Sequence, residues 1–224
     1  MRYKRAYIDS LNLSGEHFET MFIYPEDYSI EVAKSKSVFE PNKWKETFGK
    51  KLTPNIIDAR IVHTYLGLKL PLKTFATTPN RQTLEFAGLH GYNERSPLLV
   101  QTLIELKSQL QFALLARMDV AIDYSGMIPK KIIKKLSQTR KPKQVHNTAY
   151  WKTPKEGKTN RVMDIKIYSK TAKEKLDYPL MRLEFVFKSK YFNGILLRDI
   201  DKAIKKMEKS IKKATGLSVK IEKI

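Results

Sequence analysis

The stretch Arg117-Met118-Asp119-Val120-Ala121-Ile122-Asp123-Tyr124 decides how the rest of the chain is read. Side chains alternate faces along a strand, so Arg117, Asp119, Ala121 and Asp123 point one way and Met118, Val120, Ile122 and Tyr124 the other. One face is core and the other a charged floor. At the usual rise per residue Asp119 and Asp123 lie roughly 13 Å apart on that floor, too far to share one metal ion unaided. A cation site there must borrow a ligand from a neighbouring strand.

Three further segments alternate in the same way. Met181 to Lys188 sets Leu183, Phe185 and Phe187 against Arg182, Glu184 and Lys188. Met163 to Lys170 sets Ile165 and Ile167 against Asp164, Lys166, Tyr168 and Lys170, and Thr148 to Lys152 puts Thr148, Tyr150 and Lys152 on one side. Four such strands make an antiparallel sheet covered on a single face. Its bare face would carry carboxylates, tyrosines, lysines and an arginine.

Helical periods flank these strands. From Ser96, read as an N-cap, and Pro97, the residues Leu98, Leu99, Leu103, Leu106 and Leu110 recur at helical spacing to about Phe112. A second helix spans Pro129 to Thr139, with Ile132, Ile133 and Leu136 inward. A third runs from about Leu196 to Thr215, with Ile200, Ile204, Met207 and Ile211 inward, Gly216 to end it, and a short edge strand over Leu217 to Ile224. Residues 145–152 read as one strand, Pro154 to Lys158 as a hairpin loop, and Thr171 to Pro179 as a basic connection. Toward the N-terminus, strands are expected over Arg2 to Leu13, His17 to Pro25, Asp58 to Leu66 and Arg81 to Gly88, with loop and one short helix before about Leu52. The order argues an α+β fold. Residues 1–224 read as a single domain, with an N-terminal subregion 1–80 and a core 81–224.

A chain of 224 residues with 42% hydrophobic content can bury a proper core. No apolar run approaches the ~18 residues of a membrane span, and Met1 to Arg5 lacks a secretory apolar stretch, so a cytoplasmic protein is expected. The absence of cysteine removes disulfides and thiolate chemistry. The formal net charge is +20, whereas ordinary soluble domains lie much nearer neutrality. Nucleic acid is the expected partner, because Lys and Arg on phosphates release counterions. Lysine-favouring codon usage and an anionic membrane surface are the alternatives.

Elimination narrows the chemistry. There is no Gly-x-Ser-x-Gly elbow, no phosphate loop and no dinucleotide fingerprint. His17, His63, His90 and His146 are scattered, and only His90, flanked by glycines after a strand, stands out. Oxygen chemistry remains: Asp119, Asp123 and Glu184, with Glu85 and Asp164 as extras. Such a set suits Mg²⁺ or Mn²⁺. Tyr150 and Tyr168 share the polar surface, and a phenol with neighbouring cations can attack a phosphodiester. A salt-bridged ladder capped by tyrosines is the structural alternative.

In order, Leu84-Glu85-Phe86-Ala87-Gly88, a leucine helix, Arg117-Met118-Asp119-Val120-Ala121-Ile122-Asp123, Thr148-Ala149-Tyr150, Lys166-Ile167-Tyr168-Ser169-Lys170 and Arg182-Leu183-Glu184-Phe185 resemble the Rep_trans class of rolling-circle replication initiators. Filamentous-phage initiators and some conjugative relaxases look similar. The resemblance covers roughly residues 83–192. It implies a HUH-like or RRM-like sheet with helices on one face and the active site on the other. It also implies an endonuclease and ligase that nicks one strand of a plasmid or phage origin through a covalent phosphotyrosine. The metal ligands would come from Asp119, Asp123 and Glu184, and the nucleophile would be Tyr150 or Tyr168, with Lys170 beside the latter. Arg117, Arg182, Lys166, Lys170 and Lys152 would hold single-stranded or hairpin DNA, with bases stacked on Trp151 or Tyr92. A host helicase is a candidate partner, and the chain would act as monomer or dimer. A non-catalytic RRM-like binder is the rival from another class, and a conjugative relaxase the rival with the same chemistry.

Overall fold

The structure is a computed structural model that describes residues 3–16, 18, 25–32, 55–75, 78–139, 141–151 and 162–224. Eleven strands form one sheet: β1 (Lys4–Glu16), β2 (Tyr28–Val32), β3 (Asn55–His63), β4 (Leu68–Phe75), β5 (Thr78–Ala87), β6 (Leu114–Ser125), β7 (Lys143–Val145), β8 (Thr148–Trp151), β9 (Met163–Ser169), β10 (Leu180–Lys188) and β11 (Val219–Glu222). They lie in the order β2-β3-β4-β5-β1-β6-β10-β9-β8-β7, and β11 pairs with β1 in parallel. The helices are α1 (Arg95–Leu106), α2 (Lys130–Thr139), α3 (Lys170–Glu174), α4 (Ser189–Phe192) and α5 (Ile200–Thr215). This is an α+β fold with a mixed, mainly antiparallel sheet.

Alternation along the strands makes the sheet two-faced. Met118, Val120 and Ile122 of β6 join Leu183, Phe185 and Phe187 of β10 and Ile165 and Ile167 of β9 in one core with Leu99 and Leu103 of α1, Ile132 and Leu136 of α2, and Ile204, Met207 and Ile211 of α5. The helices therefore cover the face away from Asp119 and Glu184. Burying a leucine- or phenylalanine-sized side chain contributes about 1.5–3 kcal/mol, so this shared layer fixes the register on which the opposite face depends.

Several elements differ from the sequence reading. The helix after residue 94 stops at Leu106, and its N-cap is Glu94 rather than Ser96. The Ser96 hydroxyl instead donates to the Gly88 carbonyl at 2.7 Å and accepts from Gly91 N at 3.0 Å. The expected strand over 145–152 is a hairpin, β7 and β8, turned by His146 at φ 48° and Asn147. Strand β9 ends at Ser169, which caps α3 by accepting from Ala172 N, so Lys170 lies in a helix. Strands β2 and β4 have no counterpart in the sequence reading. Most of the expected strand over His17 to Pro25, and the loop at Pro154 to Lys158, lie outside the described residues. No helix among those residues is long and apolar enough to cross a membrane.

Candidate active site

Cross-strand register assembles the bare face row by row, because paired residues point the same way. One row runs Tyr7, Ala121, Glu184, Lys166, Tyr150 and Lys143 across β1, β6, β10, β9, β8 and β7. The next holds Asp123, Arg182, Tyr168 and Thr148. On the other side lie Ala87, Ser10, Asp119, Val186 and Asp164. Asp119 and Glu184 are diagonal neighbours across β6 and β10, with the small Ala121 opposite Glu184. They open on a cleft of about 350 Å³ lined also by Asp9, Glu85, Arg117, Tyr150, Lys166, Tyr168 and Lys173.

Both carboxylates are nearly sealed, each 3% exposed. Arg117 grips Asp119 with two bonds, Nε to Oδ1 at 2.7 Å and Nη2 to Oδ2 at 2.6 Å. Lys166 donates to Glu184 Oε1 at 2.6 Å, and the Tyr168 hydroxyl to Oε2 at 2.7 Å. Burial pushes the Asp119 carboxyl up to about 6, outweighing Arg117, and the nearby Glu184 adds to the rise. Burial would raise Glu184 too, but Lys166, Tyr168 and a hydrogen bond with Asp119 hold it below the usual carboxylate range. The pair divides its proton affinity, and Asp119 is the member that takes a proton first. Burial, then the charge of Glu184, lifts the Tyr168 phenol far above its ordinary value.

The sequence reading of Asp123 and Arg182 is corrected by their surroundings. Arg182 is wholly buried. It donates to Asp123 through Nε and Nη2, both at 2.7 Å, to Asp9 at 2.6 Å and to the His90 carbonyl at 2.9 Å. With its donors engaged inside the protein it cannot hold a DNA phosphate. Asp123 also accepts from the Tyr92 hydroxyl at 2.7 Å and lies 3.2 Å from His90 Nε2, whose ring stacks on Tyr7. Burial would raise the Asp123 carboxyl, but Arg182, His90 and Tyr92 hold it far below the usual range. It is thus a member of a buried lattice around Arg182 and not a third ligand beside Asp119 and Glu184.

Other sequence-based assignments shift as well. Lys170 is 2% exposed and ion-paired to Glu174 of its own helix, so it is not a phosphate contact. Trp151 belongs to the core, 3% exposed, and offers no platform for a base. Asp164 pairs with Lys188 at 2.6 Å and Glu85 with Lys73 at 2.8 Å. Lys152 lies outside the described residues. Arg117, Lys166, Tyr150 and Tyr168 stand around the cleft with Asp119 and Glu184.

Two contributors escaped the sequence reading. Asp9 is the extra residue of a bulge in β1, between the paired positions Ile8 and Ser10, which turns its carboxylate to Arg182. A lone acid directly after the apolar run Ala6-Tyr7-Ile8 was the available signal, since such an acid is buried only with a partner. Lys173 of α3 lines the cleft with its ammonium 5.3 Å from the Tyr168 ring centre. A larger groove, about 1060 Å³, follows α1 past Tyr92, Pro97 and Ile104. It is mostly apolar and gathers no comparable set of acids and bases.

A divalent cation can be weighed against these donors. Among the described residues no group of three His, Asp or Glu side chains is placed to ligate one ion. Two carboxylates within hydrogen-bonding reach are nonetheless what Mg²⁺ uses when water and substrate phosphate complete its shell. Arg117 and Lys166, which neutralise them now, stand at the rim with side chains 39% and 23% exposed. The donor set therefore fits a substrate-completed Mg²⁺ or Mn²⁺ site built on Asp119 and Glu184.

No family model matches the chain, and no curated protein matches it in sequence. Among solved structures, a rolling-circle replication initiator protein from Geobacillus stearothermophilus has a similar fold, with a TM-score of 0.50 at 14% identity over 94% of this chain and 85% of that one. At that identity the likeness speaks for the fold.

Proposed function

We propose that the chain nicks and rejoins one strand of DNA to start rolling-circle replication, with Tyr150 as the nucleophile. The observation that carries this reading is the 350 Å³ cleft, where two phenols, an acid pair and three cationic side chains converge on a fold shared with an initiator. Tyr168 is buried and donates its hydroxyl to Glu184, whose charge opposes ionisation, so its role is to hold Glu184 in place. Tyr150 is half-buried on the same wall, between Lys166 and Lys143 in the register, where a phosphate can reach it. Its oxygen attacks phosphorus and one backbone P–O bond breaks, leaving a phosphotyrosine and a free hydroxyl; attack by a hydroxyl on the phosphotyrosine reseals the strand. The phenolic proton passes to water, because a carboxylate that ligates a divalent cation is held ionised and Asp119 is assigned to the cation. Asp119 and Glu184 would hold Mg²⁺ or Mn²⁺, which supplies polarisation of the phosphate. Arg117, Lys166 and Lys173 hold the flanking phosphates.

A non-catalytic binder has one observation in its favour: both carboxylates already have cationic partners. Covalent capture separates the two readings. Randomised single-stranded oligonucleotides with Mn²⁺ should give a protein–DNA adduct that survives denaturation. EDTA and Tyr150→Phe should each abolish it, whereas Tyr168→Phe should weaken it by roughly 10–100-fold, as for loss of a supporting group. An adduct that persists in Tyr150→Phe rejects the nucleophile; no adduct under any metal condition leaves the binder.

A further inference from the structure

Among the described residues, two helices on the side of the sheet away from the cleft carry a run of exposed lysines. Helix α2 contains no acid, and Lys130, Lys131, Lys134 and Lys135 are all exposed. Helix α5 exposes Lys205, Lys209, Lys212 and Lys213, while its two acids turn toward the C-terminal segment: Asp201 pairs with Lys223, and Glu208 accepts from Ile221 N at 2.9 Å. Among the described residues none of those eight lysines forms a close ion pair, although Lys205 acts electrostatically on Asp201 of its own helix. The helices pack against each other, with Lys135 beside the C-cap Gly216 of α5, so the two sets form one surface. Their apolar residues face the shared core on the side of the sheet opposite Asp119 and Glu184.

We propose that the outer surface of α2 and α5 is a second nucleic-acid interface, one that holds the phosphate backbone of duplex DNA. Lysine acts as a point charge and suits backbone phosphates, not the planar recognition of bases, so the surface grips without reading sequence. Neither helix has an aromatic residue on which unpaired bases could stack, which disfavours single strands. Apart from the partly exposed Ile133, the apolar residues of these helices point inward, leaving no stripe to enter a bilayer. Exposed Lys141 and Lys143 continue the charge from the end of α2 to the edge strand β7, where Lys143 stands next to Tyr150 in the register. A duplex on the helical face can thus send one strand around that edge into the cleft.

The interface stands whether or not the cleft cuts DNA, and its test is separate from covalent capture. The probe is a mixed-sequence duplex of about 20 base pairs, titrated by anisotropy at several salt concentrations with the whole chain. Replacing the eight lysines by glutamine should weaken duplex binding at least tenfold at about 0.1 M salt. It should also flatten the log affinity against log salt slope by roughly 3 or more, since each phosphate contact contributes about 0.9. Binding of a single-stranded oligonucleotide should change less than about twofold, and eight Lys→Arg replacements should restore the duplex slope. Each four-lysine set alone should give about half the slope change, and glutamine keeps helix propensity, so a reading is available from whichever set retains the parent circular dichroism. An unchanged duplex affinity and slope overturns the proposal, as does a loss confined to phosphatidylserine vesicles.

Discussion

Asp119 takes up a proton more readily than an exposed aspartate because burial outweighs the guanidinium that grips it. The sign of its effect on stability follows. A folded carboxyl raised to about 6 from an unfolded value of about 3.9 favours folding when protonated. Its contribution is full below pH 3.9 and is lost as pH rises through 6. A carboxyl-carbon NMR titration should show Asp119 with a midpoint near 6, and Asp119→Asn should remove that transition; a midpoint near 4 would reject the shared-proton pair. Residue types on the floor were readable from alternation alone, since Arg117, Asp119, Lys166, Tyr168 and Glu184 do share one face. What alternation cannot tell is which arginine meets water. Arg117 and Arg182 look alike in sequence, yet Arg182 is buried because Asp9, distant in the chain, is bulged toward it.

At the scale of elements, the turn between β5 and α1 aims two rings at Asp123, and Gly91 makes that turn possible. A Cβ on Gly91 would stand 2.3 Å from the Ser96 hydroxyl that bonds both Gly91 N and the Gly88 carbonyl. Gly91→Ala should therefore cost about 1–3 kcal/mol in chemical denaturation, as overpacking does. It should also release the Tyr92 hydroxyl from Asp123, readable as a lowered phenol pKa in ultraviolet titration, because burial and that bond now raise it. An unchanged denaturation midpoint would show that the turn has room to spare. Strands with clear alternation and a long partner, β6, β9 and β10, were found near their true ends. Pro71 interrupts the alternation of β4 and hides that strand in the sequence; in the structure Pro71 occupies the half of β4 paired to β3 but not to β5. Strand β7 is three exposed residues, Lys143, Gln144 and Val145, too short for a periodic signal, and its place depends on β8.

Across the described residues, charge is sorted by face: ion pairs fill the cleft, and eight exposed lysines without a close ion pair lie along α2 and α5. Salt should act on the two unequally. Buried pairs are weakly screened, whereas repulsion among exposed lysines fades once the Debye length falls below their spacing. The melting temperature should therefore rise by about 2–6 °C between roughly 0.05 and 0.5 M NaCl, about 1–2 kcal/mol for a chain of this size, as followed by circular dichroism. A fall over that range would place the decisive charges in the cleft instead. The net charge was plain in the composition; its distribution was not, because pairing is a property of folded neighbours. One long-range junction also governs how the cleft comes into being. Strand β1, which carries Asp9, has β11 alongside at Lys4 to Tyr7, a pairing between segments roughly 200 residues apart. Closing so wide a loop carries a large entropic cost and is slow. The β1 wall of the cleft, which carries Asp9, should accordingly be among the last parts of the sheet to be fixed in folding, after the β6–β10 pair that bears Asp119 and Glu184.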